Sequence, residues 1–74
     1  MKRTYVVVRS RQLLGILAKR NMCQNGLARA THLTSGHISQ LISRKRNPSP
    51  QVRQRIMNFL GVDFHEIFAL RYSL

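Results

Sequence analysis

Apolar residues recur at three- and four-residue intervals from Leu13 to Ile67, the spacing of one buried face on a helix. Leu13, Leu14, Ile16 and Leu17 form a broad stripe in SRQLLGILAKRN, with Arg11, Lys19 and Arg20 left to water. Ser10 is placed to cap this helix. Gly15 weakens it by ~1 kcal/mol relative to Ala, which points to close helix packing there. Asn21 suits the turn that follows, since Asn tolerates positive φ. A second helix begins near Cys23 or Gln24 and is anchored by Leu27 and Ala28. After a tight joint near His32 and Leu33, a third opens at Thr34 and Ser35 and is anchored by Ile38, Leu41 and Ile42. Asn47-Pro48-Ser49-Pro50 stops helical structure, and Ser49 then caps a fourth helix with Pro50 at its first position. Its stripe is Val52, Ile56, Phe59 and Leu60, with Arg53 and Arg55 turned elsewhere, and Gly61 ends it. Asp63 to Glu66 reads as a capping box for a fifth helix, with Val62 stapled to Ile67. The pattern predicts an all-α, five-helix domain over residues 10–68. Residues 1–9 form an arm and residues 69–74 a tail. Thr4 to Val8 is rich in β-branched residues and reads as a short strand or an extended segment. Its only candidate partner is Ala69 to Leu74, within one chain or between two.

Charge changes the picture. Among 74 residues, thirteen Lys and Arg oppose two acids, a formal net charge of +11, and no acid precedes Asp63. That imbalance repels itself in the free protein and is relieved by a polyanion. Nucleic acid leads, with an anionic membrane surface as rival. No segment approaches the ~20 apolar residues of a membrane span, and MKRTYVVV is too briefly apolar for a secretory signal. The single Cys23 cannot form an internal disulfide. These features predict a soluble protein of the cytoplasm, associated with the nucleoid.

At ~100° per residue, Thr34, Ile38, Leu41 and Ile42 share one face of the third helix. Gly36, Gln40 and Ser43 lie opposite, flanked by Ser39 and His37, and this face runs into Arg44-Lys45-Arg46. Short polar side chains followed by a cationic run suit insertion into a DNA groove. Here the stretch Gln24–Arg46 resembles the helix-turn-helix of the lambda repressor and Cro class, the xenobiotic-response-element type of bacterial regulator. The residues that carry the resemblance are Gln24, Leu27-Ala28, Ile38 and Leu41, the basic run to Asn47-Pro48, Phe59 to Val62, and Ile67-Phe68. It spans roughly residues 11–68. Three positions depart from the pattern. His32 stands at the joint usually given to Gly, Ile42 replaces a common acid, and Arg44 stands where Gly often follows.

The resemblance implies a compact lambda-repressor-like domain and a sequence-specific regulator of duplex DNA, a repressor or Cro-like switch of a phage or mobile element. Ser35, Gly36, His37, Ser39 and Gln40 would then meet base edges, and Gln24, Ser43, Arg44, Lys45 and Arg46 would hold phosphates. A homodimer would match a two-fold operator. Gly36 is informative, because Gly early in a helix is unfavourable unless something approaches its backbone or it relieves crowding at the turn. Arg29 lies on the outer surface of the second helix, as a solvated charge or a DNA contact.

Enzymatic chemistry has little to work with. Asp63 and Glu66 are the only carboxylate side chains, and helix capping already occupies both. Cys23, His32, His37 and His65 match no zinc spacing, and Cys23 reads as inert packing. No metal, cofactor, small-molecule ligand or membrane partner is expected. The alternatives are a DNA-bending accessory or excisionase-like factor, and a basic module that binds RNA or an acidic protein.

Overall fold

A computed structural model describes residues 3–73; Met1, Lys2 and Leu74, the ends of the expected arm and tail, lie outside the described residues. Five helices follow one strand and precede another: β1 (Arg3–Val8), α1 (Ser10–Lys19), α2 (Gln24–Ala30), α3 (Ser35–Ile42), α4 (Pro50–Leu60), α5 (Phe64–Ile67) and β2 (Phe68–Ser73). The five helices stand where the periodicity puts them. The all-α expectation needs correction, because β1 and β2 pair antiparallel within the chain, from Arg3↔Ser73 to Val8↔Phe68. Val6 to Val8 supply the β-branched residues that favour the strand. Val6, Val8 and Phe68 carry the sheet into the helical core.

Each helix contributes a short apolar step to that core. Leu13 and Leu17, Leu27 and Ala28, Ile38 and Leu41, and Val52, Ile56 and Leu60 are buried at helical spacing. The stripes are narrower than expected. Leu14 is 39% exposed and Phe59 is 40% exposed, so both leave the core. A ten-residue helix buries one side, and Leu13 and Leu17 already fill it.

Helix starts follow the sequence at three places and depart at one. Thr34 Oγ1 accepts from His37 N at 3.0 Å and Ser49 Oγ from Val52 N at 3.3 Å. The capping box of α5 is complete, with Asp63 N donating to Glu66 Oε2 at 2.6 Å. Ser10, however, does not cap α1. Arg9 occupies the cap position, and the Ser10 hydroxyl donates instead to the Ile42 carbonyl at 2.5 Å, tying α1 to the end of α3.

The ends of α1 to α4 share one solution. A residue with positive φ follows α1 (Asn21, φ 55°), α2 (His32, φ 59°), α3 (Arg44, φ 62°) and α4 (Gly61, φ 66°). The next amide then reaches back to a carbonyl in the last turn: Met22 N to Leu17 O, Leu33 N to Ala28 O, Lys45 N to Gln40 O and Val62 N to Met57 O. This is the Schellman closure. In three cases the residue that reaches back is apolar and packs on the core, namely Met22, Leu33 and Val62. After α3 it is Lys45.

Gly15 does not mark close helix packing. A methyl group there would meet nothing within 4 Å. Gly15→Ala should therefore raise stability by ~1 kcal/mol, since it removes the entropic cost of Gly in a helix interior without adding a clash. Thermal or urea unfolding checks this, and an unchanged or lowered midpoint would contradict the open site.

Candidate nucleic-acid interface

The α2–α3 pair is set by its joint. Thr31 is buried, and its hydroxyl donates to Leu27 O at 2.7 Å, which lets a polar residue close α2 inside the core. His32 then takes the left-handed conformation usually filled by Gly, which costs an L-residue roughly 1–2 kcal/mol. Leu33 returns to the core, and Thr34 starts α3.

With Ile38 and Leu41 buried, the other side of α3 faces out. Ser35, Gly36, Ser39, Gln40 and Ser43 are exposed, and His37 is half-buried at the margin. Gly36 relieves no crowding, since a methyl group there would approach only Thr34 Oγ1, at 4.0 Å. Among the described residues nothing requires Gly at this point.

The basic run is folded back on the end of α3. The Gln40 carbonyl accepts from Lys45 N at 3.0 Å, Arg46 N at 3.3 Å and Ser43 Oγ at 3.2 Å. The Leu41 carbonyl accepts from Arg44 N at 3.2 Å. Together with Ser10 on Ile42, these bonds satisfy the last-turn carbonyls that a helix leaves open. Arg44 is exposed, but its Nε donates to the Val8 carbonyl at 3.2 Å, so part of its guanidinium belongs to the fold. Lys45 and Arg46 are exposed beside it.

Burial, and then the positive charge of Arg46, hold the His37 imidazole below its usual 6.5. His37 is therefore neutral at neutral pH, with one ring nitrogen to donate and one to accept. On acidification through 6.5 the unfolded chain takes up this proton before the folded chain does, so the His37 contribution to stability is lost as pH falls.

Gln24 is the half-buried first residue of α2, whose N-terminus has no side-chain cap and no acid in its first turn. Cys23, expected to pack, is exposed at the cap position. Arg29 is exposed on the outer surface of α2. Arg20 is exposed as expected, yet its guanidinium donates to the Leu60 carbonyl at 2.6 Å, and Arg9 donates to His65 O. These ties, like Ser10–Ile42 and Arg44–Val8, join residues more than thirty positions apart, and no local pattern announces them.

Among the described residues no three His, Cys, Asp or Glu side chains gather as a metal would require. No helix there is long and apolar enough to cross a membrane.

A comparison with curated protein sequences gives no match. Among solved structures, the transcriptional regulator VanUg superposes with a TM-score of 0.72 at 21% identity, over 95% of this chain and 89% of that one. A Bacteroides fragilis protein described as DNA-binding gives 0.69 at 22% identity, over 86% and 98%. Both likenesses are of fold. A helix-turn-helix family model matches residues 15–67, well over half of the chain, and spans both helices of the motif and the core beneath them. The chain belongs to the Cro/C1-type helix-turn-helix family of DNA-binding transcription regulators.

Proposed function

We propose that this chain is a sequence-specific repressor or Cro-like switch that acts by occupying an operator, with α3 in the major groove. The observation that carries the reading is the outer face of α3, which has no large apolar side chain and continues into Arg44, Lys45 and Arg46. Eight residues at 1.5 Å each make a helix about 12 Å long, comparable with a major groove about 12 Å wide. Ser35, His37, Ser39 and Gln40 are the base-reading side chains, and Gly36 lets the backbone come close. Gln24, Ser43, Lys45, Arg46 and the remaining N–H groups of Arg44 hold phosphates, which position the helix without reading sequence. Such a protein works in the cytoplasm, at the nucleoid.

Gln40 supplies the sharpest test. Its amide offers a donor and an acceptor, matching the N6 and N7 edge of adenine. Gln40→Ala should cost ~1–3 kcal/mol at the preferred site, with melting temperature and non-specific binding little changed. Selection from a random duplex pool reads both the sequence and its affinity. An unaltered selected sequence would remove α3 as the reader and favour a DNA-bending accessory role.

Gly36→Ala should separate fold from function. Stability should rise by a few tenths to about 1 kcal/mol, because the site is open and Ala is the better helix former. Duplex affinity should fall on the order of tenfold, about 1.4 kcal/mol, because the added methyl stands where DNA approaches. Unfolding and binding measured on one preparation decide it; unchanged affinity would mean that nothing comes close to this backbone.

A homodimer on a two-fold operator completes the reading. Among the described residues no further strand pairs with either edge of the two-stranded sheet, and only the base of β1 is engaged, by Arg44 on the Val8 carbonyl. Leu70 (43% exposed) and Tyr72 (66% exposed) stand opposite Val6 and Thr4, on the sheet side that enters the core. Sedimentation should show a dimer that Leu70→Lys dissociates, with weaker operator binding and a melting temperature that no longer rises with protein concentration. A wild-type protein that stays monomeric and binds DNA one to one would exclude this arrangement.

A further inference from the structure

The β1–β2 ribbon carries a second cationic face that the α3 reading leaves unused. In an antiparallel pair, residues directly opposite share a side of the sheet, and successive residues alternate sides. Val8↔Phe68 and Val6↔Leu70 mark the side that enters the core. Tyr5↔Arg71 and Arg3↔Ser73 therefore lie on the other side, and Arg3, Tyr5 and Arg71 are all exposed. Arg3 and Arg71 are diagonal neighbours across the strands, with Tyr5 directly beside Arg71. Diagonal neighbours lie within reach of each other's long side chains, and two like charges that close repel. The chain supplies no acid to offset them, because Asp63 and Glu66 are taken by the capping box of α5.

The position of this face makes it useful. A surface groove is lined by Arg3, Thr4, Tyr5 and Ser73 from the ribbon and by Asn47, the residue after the basic run. At its base the ribbon is held by Arg44, through the Nε–Val8 bond. Two independent contacts thus set the ribbon alongside residues 44–47, with its outer half projecting into solvent.

We infer that Arg3, Tyr5 and Arg71 form a second DNA-backbone contact, continuing the phosphate-binding run of Lys45 and Arg46 onto the β1–β2 ribbon. The inference rests on the reading of α3 as the groove-binding helix. Its partner is the sugar-phosphate backbone beyond the C-terminal end of α3. The two guanidinium groups meet phosphates, and the Tyr5 hydroxyl donates to a third oxygen. Contacts of this kind add affinity and orientation, with no sequence information.

The test compares three variants with the wild type by duplex titration across salt concentrations: Arg3→Ala with Arg71→Ala, Arg11→Ala with Arg55→Ala, and Lys45→Ala. Both double variants lose the same charge, but Arg11 and Arg55 are exposed on α1 and α4, outside the ribbon. Each lost phosphate contact lowers the log–log salt slope by about 0.9, so the ribbon pair should lower it by about 1.8. The Arg11/Arg55 pair should leave the slope near the wild-type value. Sedimentation and the selected sequence should stay the same for the ribbon pair, and melting temperature should not fall, since removing the two like charges relieves their repulsion. A ribbon pair that binds like wild type while Lys45→Ala weakens binding would overturn this inference and leave the α3 reading standing. Equal slope losses in both double variants, or a loss that tracks dissociation of a dimer, would also overturn it. Failure of the wild type to bind any duplex would overturn both readings.

Discussion

A helix of seven to eleven residues spends a large share of its backbone on its two ends, where carbonyls and amides have no partner within the helix. Four helices in a row meet that constraint here with a left-handed residue and an amide that turns back. Gly61 makes the conformation at little steric cost, and Asn21 tolerates it. His32 and Arg44 are held there against their own preference. The tight α2–α3 joint and the return of the basic run over α3 both depend on those two residues. Exposed side chains of ordinary type thereby acquire fixed positions.

The same closure explains how the interface departs from the rest of the fold. After α1, α2 and α4 the amide that turns back belongs to an apolar residue, which extends the core. After α3 it belongs to Lys45, so the backbone geometry is kept while the side chain is left outside. The cations divide accordingly. Arg9, Arg20 and Arg44 donate to distant carbonyls and staple the chain together. With so few carboxylates available, neutral backbone oxygens serve as the acceptors that acids provide in a balanced protein.

Local chemistry was legible in the sequence. Thr34, Ser49 and the Asp63–Glu66 box start helices where their side chains indicate, and Gly61 ends one. The polar face of α3 followed from periodicity alone. What escaped was decided by distant partners. Ser10 has the chemistry of a cap, but the Ile42 carbonyl takes its hydroxyl. Leu14 and Phe59 have the right polarity for the core, yet their neighbours had already filled it. Ala69 to Leu74 stood out as the only candidate partner for Thr4–Val8, but whether the segment pairs, and within one chain or between two, depended on a meeting across some sixty residues that local propensity cannot decide.

That meeting has a kinetic consequence. Among the helices, α2 and α3 pack as sequence neighbours while α1 packs on α5 near the other end of the chain. The sheet makes the most distant pairing, joining Arg3 to Ser73. Closing a loop of that length costs entropy before any strand contact repays it, and each doubling of loop length adds ~0.6 kcal/mol. The ribbon should therefore form late in folding and open first under stress, with the α2–α3 pair already assembled. Arg44 belongs to both parts, through its left-handed turn after α3 and its bond to Val8. Opening of the sheet frees that guanidinium without dismantling the helix it follows, so the pairing of the two chain ends is coupled to the basic run after α3.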